Sequence, residues 1–195
     1  MTSELGVRER KKLAARTALT ESALKLFREN GFDATTVNDI ARLANMSPRT
    51  FFRYFDTKED VVFQDAPRRL DALRRLLHNR PAGESNSIAL RAALISFSEI
   101  LEQEREELHL RARLSRAART LAERAAIELQ NWRLALTEEL LQRGSDHDHT
   151  RCHLLAGAGV HVLAVAITLR SDSERTLPEL TDHCWQQLTE VVGPT

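Results

Sequence analysis

The chain has 195 residues, of which 42% are hydrophobic and 29% charged, with seven glycines and five prolines. That is material for one or two packed domains, and it excludes a collagen-like, low-complexity or largely disordered polypeptide. The formal charge is zero, but residues 1–53 carry ten basic side chains (Arg8, Arg10, Lys11, Lys12, Arg16, Lys25, Arg28, Arg42, Arg49, Arg53) against six acidic ones, a sum of +4 that leaves −4 for the remainder. A basic head on an acidic body points to a polyanionic partner for one end only. Cys152 and Cys184 are too few for a disulfide framework and fit a reducing compartment. No apolar stretch follows the basic N-terminus to serve as an export signal, so a cytoplasmic protein without a membrane partner is expected.

Taken in chain order, Leu19, Ala23, Leu26 and Phe27 form the stripe of an amphipathic helix from about Arg10 to Asn30, closed by Gly31. Thr36 caps a short second helix, with Asp39 at its positive end, and that helix ends near Ala44. Ser47 followed by Pro48 opens a third helix, since proline at the first helical position loses no hydrogen bond. The near-absence of residues between helices two and three predicts a helix-turn-helix, and the longer preceding helix completes a three-helix unit. A cap of the same kind at 56–59 opens a helix expected to run to about Arg80, before the break that begins at Pro81. Beyond it the spacing predicts helices over 86–103, 106–117, 119–143, 149–171 and 177–192, with no alternating β-pattern.

The run from Thr35 to Asp60, TTVNDIARLANMSPRTFFRYFDTKED, resembles the DNA-binding domain of TetR/AcrR-family transcription regulators, and Leu26, Phe27, Gly31 and Phe32 match the helix before it. The resemblance is dense over about residues 10–65 and reduces to size and helical layout beyond residue 85. It implies an all-α fold of about nine helices. A helix-turn-helix DNA-binding domain with a basic N-terminal arm would occupy 1–56, and a ligand-binding and dimerisation domain 57–195. The function it implies is a ligand-responsive transcriptional regulator, a homodimeric repressor released from a pseudo-palindromic operator by a small lipophilic or amphipathic effector. The alternative is a constitutive regulator or an activator without an effector.

The site residues follow from both readings. Ser47, Pro48, Arg49, Thr50, Phe52 and Arg53 lie on the third helix and its start, the end that such a motif inserts into the major groove. Arg49 suits a bidentate contact to guanine and Thr50 a thymine methyl or a phosphate. Asn38 lies early on the second helix, within reach of a base or phosphate. The resemblance places phosphate contacts on Thr36, Tyr54 and Lys58, and Phe52 stands where the family usually has tyrosine, which removes one hydroxyl. Arg8, Arg10, Lys11, Lys12 and Arg16 read as a mobile arm supplying salt-dependent affinity. Phe51, Phe55, Val37, Ile40, Ala41 and Leu43 read as core.

In the body, residues 154–169 contain one ionisable side chain, His161, in sixteen positions, too short a run for a bilayer; they predict a helix buried on every side. The resemblance pairs this helix and 177–192 (Leu180, Cys184, Leu188, Val191) across a four-helix dimer interface. Ligand-lining candidates are Phe97, Leu101, Leu110, Leu114, Trp132, Leu136 and His161, with Arg105, Arg111, Arg113, Arg116 or Arg119 able to anchor an acidic head group. His149, Cys152 and His153 share one helix face and could suit zinc, but no second ligand pair accompanies them, so neither metal nor cofactor is expected. Glycine-rich phosphate loops, G-x-S-x-G and H-E-x-x-H are absent from the sequence, and no enzyme is expected.

Overall fold

The computed structural model describes residues 6–143 and 148–192, which form ten α-helices and one 3-10 turn, without a strand among the described residues. In chain order these are α1 (Val7–Asn30), α2 (Val37–Leu43), α3 (Pro48–Phe52), α4 (Lys58–Phe63), α5 (Ala66–His78), α6 (Asn86–Glu102), α7 (Arg105–Ala117), α8 (Arg119–Gln142), α9 (His149–Leu169) and α10 (Leu177–Val192). The single helix expected over 57–80 is divided at Gln64 and Asp65. Pro67, near the start of α5, has no amide hydrogen to offer the carbonyl four residues earlier, so α4 cannot continue through it. The arm expected before residue 17 is helical from Val7 onward, with Arg8, Arg10, Lys11, Lys12 and Arg16 on exposed positions of α1.

Side-chain caps set most of the starts. Thr36 and Thr57 each accept from the amide three residues on, while Asp39 and Asp60 accept from the cap backbone in return, two complete capping boxes. Ser47, Ser85 and Asp148 cap α3, α6 and α9. The turn between α2 and α3 closes with Asn45 at φ 54°, its amide on the Arg42 carbonyl and the Met46 amide on the Ala41 carbonyl. Those two bonds are a Schellman motif, and they make the turn tight.

The buried side chains form two clusters. One unites α1–α4 through Leu19, Ala23, Phe27, Ile40, Phe51, Phe55, Val61 and Val62, and continues onto α7 and α8 through Leu110, Leu114, Ala118 and Leu121. The other joins α5, α6, α8, α9 and α10 around Leu73, Leu77, Leu90, Leu94, Phe97, Leu136, Ala156, Leu163 and Trp185. Leu43, expected in the core, is 41% exposed at the end of α2.

The segment His149–Asp172 is long and apolar enough to cross a membrane, but it packs against α6, α8 and α10. Gly159 sits so close to α6 that a Cβ there would fall 2.8 Å from Leu90 Cδ2. This helix is not enclosed on every side as expected: Ala156, Gly159, Leu163 and Ala166 face inward, whereas Leu154 is 67% and Leu169 46% exposed. One stripe of α9 is left uncovered because the four neighbouring helices, α6, α7, α8 and α10, leave that side open. Of the interface candidates on α10, Leu180 belongs to the subunit's own core, Cys184 and Leu188 are half-buried, and Val191 is exposed.

Candidate nucleic-acid interface and the cavity behind it

The first surface is built on α3. Phe51 is fully buried, against Phe55 at 5.5 Å between ring centroids, and this plug fixes the helix on α1 and α2. With Phe51 inward, the helical period turns Pro48, Arg49, Phe52 and Arg53 outward, and all four are exposed, as are Ser47 and Asn38. Thr50 is half-buried, its hydroxyl 3.0 Å from that of Ser47. Arg53 donates to the Tyr54 hydroxyl at 3.2 Å and stacks on its ring, so these two side chains form one unit. Phe52 packs edge-on against Phe51 and is 54% exposed, an apolar group offered to solvent.

Three expected contacts are engaged inside the protein. Lys58 Nζ donates to the carbonyls of Phe32 (2.8 Å) and Thr35 (3.0 Å) and lies over the Phe32 ring, leaving one of three N–H groups for an external anion. Arg16 Nε donates to Gln64 Oε1 at 3.1 Å and its guanidinium covers Phe55. The Thr36 hydroxyl is held in its capping box by Asp39, whose carboxyl lies below its ordinary value because of the hydrogen bonds from Thr36, with Arg42 assisting.

The second feature is a cavity of about 490 Å³ where α4 and α5 meet α7, α8 and α9. Its wall is largely apolar: Val62, Phe63 and Ala66 from the head side, Ala122, Ala126 and Trp132 from α8, and Leu163 from α9. Among the residues named from sequence as lining, Leu101 and Trp132 reach it and the others do not. Phe97 stands behind Trp132, 5.7 Å between centroids; Leu136 is enclosed in the body core; Leu110 and Leu114 are committed to the core of the head; and His161 is on the exposed stripe of α9. The common cause is that the inward faces of α7 and α8 serve two cores, which periodicity does not separate.

Of the candidate anchoring arginines, Arg111 and Arg116 line the cavity, Arg105 lines a separate polar recess with Glu102 and Arg170, Arg119 pairs with Glu123, and Arg113 is exposed. Arg69 also lines it and was not singled out from sequence. A signal existed: Arg69 is three residues after Ala66 and four before Leu73, on the buried stripe of α5. Asp65 accepts from Arg111 at 3.0 Å and Glu104 from Arg69 at 2.6 Å. Burial works to raise both acids, yet the hydrogen bonds and charges of Arg111 around Asp65, and of Arg69 and Arg68 around Glu104, hold them below the usual carboxylate range.

The zinc reading finds no assembled ligand set, since no cluster of three or more His, Cys, Asp or Glu side chains suited to a metal occurs among the described residues. Cys152 is buried with Sγ 3.6 Å from Asn86 Nδ2, His153 accepts from Arg133, and His149 is exposed. Asp146 and His147 lie outside the described residues.

A three-helix head with an outward-facing α3 is a helix-turn-helix, here mounted on a helical body with an open cavity at the joint. Residues 19–64, the three-helix head and α4, match the tetR family of bacterial regulatory proteins. It is 40% identical over 88 residues to the HTH-type transcriptional regulator TcmR of Streptomyces glaucescens, a match over 45% of this chain and 39% of that protein. The match thus spans about two fifths of this curated relative. Two solved structures share the fold along nearly the whole chain. The fatty acid degradation regulator FadR of Bacillus halodurans has a TM-score of 0.65 at 18% identity, over 93% of this chain and 97% of that one. FadR of Thermus thermophilus, a TetR-family repressor in complex with lauroyl-CoA, has a TM-score of 0.57 at 21% identity, over 92% and 96%.

Proposed function

We propose that this protein is a cytoplasmic, homodimeric transcriptional repressor that leaves its operator when a small amphipathic molecule fills the cavity. Residues 1–56 read DNA, and residues 57–195 bind the effector and pair the subunits. One observation carries the reading: Val62 belongs both to the core beneath the DNA-facing helices and to the wall of the cavity. A molecule that displaces α4 therefore disturbs the packing that orients α3. Any ligand with different affinities for two head positions shifts the balance between them, by a coupling typically of ~1–3 kcal/mol.

At the operator, Arg49 enters the major groove and reads guanine, and Phe52 with Thr50 meets thymine methyl groups. Asn38, Thr36, Ser47, Pro48, Arg53, Tyr54 and the remaining Lys58 donor border the site and hold phosphates or the groove wall. Arg10, Lys11 and Arg16, on the exposed first turns of α1, add salt-dependent affinity. The uncovered stripe of α9, with Leu154 and Leu169, continues into Cys184, Leu188 and Val191 of α10 and supplies a face for a second copy. Twofold pairing sets the two α3 helices about one DNA turn, ~34 Å, apart.

Selection of binding sites from a random duplex pool by the full chain tests this. Two-fold symmetric sites are expected, and Arg49→Ala should weaken binding to the selected site by about 1–3 kcal/mol and relax its preference at one base pair. An Arg49→Ala protein with unchanged affinity and selectivity sinks the docking assignment.

A further inference from the structure

We propose that the cavity takes a single-headed organic acid, an aliphatic chain ending in one carboxylate, whose head group is received by Arg69 and Arg111. This rests on the effector reading above and names the class of molecule. Both arginines line the cavity with side chains nine-tenths or more buried, and in both the Nε atom is buried without a hydrogen-bond partner. A buried, charged N–H with no acceptor is destabilising, and a ligand oxygen removes that cost.

One other nitrogen of each guanidinium is already engaged. Arg69 Nη2 reaches Glu104, and Arg111 Nη2 reaches Asp65 and Glu107, so each guanidinium is held in place by a carboxylate on one edge while its Nε stays free. A guanidinium fixed in this way holds its Nε–H ready for one further oxygen. Arg116, on the exposed side of the same wall, has no carboxylate partner among the described residues, which adds a positive charge at the rim. A neutral hydrocarbon would leave both Nε–H groups orphaned, and Glu128, the one acid in the wall, is already paired with Arg124. The alanine-rich remainder of the wall, Ala66, Ala112, Ala122, Ala125 and Ala126, leaves room for a chain without hydrogen-bonding groups.

The test compares dodecanoate with dodecanol by titration calorimetry on the full-length protein. Dodecanoate should bind at least about tenfold more tightly, as expected for hydrogen bonds to a charged group. Arg111→Lys, which keeps a cation beside Asp65 but removes the fork, and Arg69→Met should each erase most of that preference while leaving dodecanol affinity within about twofold; thermal melts confirm that the variants are folded. Equal affinity of the wild-type protein for the two probes overturns the acid assignment and leaves an apolar effector cavity standing. If neither probe binds, the acid assignment fails; and if Ala126→Trp, whose side chain itself fills the cavity, leaves operator affinity at the wild-type value with no ligand added, the effector reading fails as well.

Discussion

Asn45 shows how one side chain sets the geometry of the reading head. At φ 54° it occupies the left-handed region that asparagine and glycine tolerate and β-branched residues do not. Asn45→Val should destabilise the protein by about 1–2 kcal/mol in urea denaturation, and Asn45→Gly should be close to neutral. Equal stability of the two variants would show that the turn can close another way. Gly31, at φ 83° and ψ 163° with open space around it, ends α1 in a different positive-φ conformation, one that only glycine adopts readily. Its position after an apolar stripe is legible in sequence. That Asn45 rather than a glycine closes the second helix is not, because asparagine serves as readily at caps and on surfaces. The arginines of the cavity posed a similar difficulty. Arg111 sits three residues before Leu114 on the buried side of α7, yet an arginine on a helix is ordinarily a solvent-facing residue.

At the scale of elements, the junction of α4 and α5 connects cavity and head. Gln64 accepts from Arg16 and donates to Thr20 on α1 at 2.9 Å, while the adjacent Asp65 accepts from Arg111 in the cavity wall. A head group received at Nε of Arg111 thus acts on the guanidinium that holds Asp65, one residue from the link that holds α1. Gln64→Leu should leave effector binding in place and reduce the operator-release response several-fold in an anisotropy titration; an undiminished response would place the coupling elsewhere. The apolar joint of α6 with α9 and α10 is closed at one end by an ion pair. Glu102 accepts from Nε of Arg170 at both carboxylate oxygens, from its Nη2 at one, and from the Leu177 amide at 2.8 Å. The hydrogen bonds from Arg170 and the Leu177 amide outweigh burial and hold its carboxyl below the ordinary 4.5. A carboxyl depressed in the folded state contributes stability that is complete above its unfolded value and lost as pH falls through the folded one. Glu102→Gln should therefore lower the melting temperature at neutral pH, and below about pH 4 the difference from wild type should shrink. A difference independent of pH would show that the ion pair adds nothing.

At the scale of the whole molecule, the neutral net charge conceals a division of labour. On the proposed function, a mildly acidic body would be repelled by DNA and would leave docking to the basic end. The same body leaves the stripe of Leu154, His161 and Leu169 uncovered on α9, and pairing of two copies across it would bury that apolar surface. Leu154→Arg should shift sedimentation velocity toward a monomer and, with the second reading head gone, weaken binding to a symmetric site far more than to a half-site. A Leu154→Arg protein that remains dimeric would place the interface on another face.

Local chemistry made most of the architecture readable. Caps at Thr36, Ser47 and Asp148, the stripe ending in Phe27, and the close spacing of α2 and α3 are encoded within a few residues of where they act, so the helix-turn-helix and nearly every helix boundary followed from sequence. Pro67 carried the break after α4 just as locally, and its missing amide hydrogen is the reason the expected long helix became two. Which apolar residues face which core was decided only by tertiary structure. Leu110 and Leu114 joined the head, Leu136 the body, and Trp132 the cavity, although all lie on helices with similar periodicity. Periodicity specifies that a face is buried but not what buries it. The same packing brought Arg69 and Arg111, more than forty residues apart in the chain, into one wall with Val62.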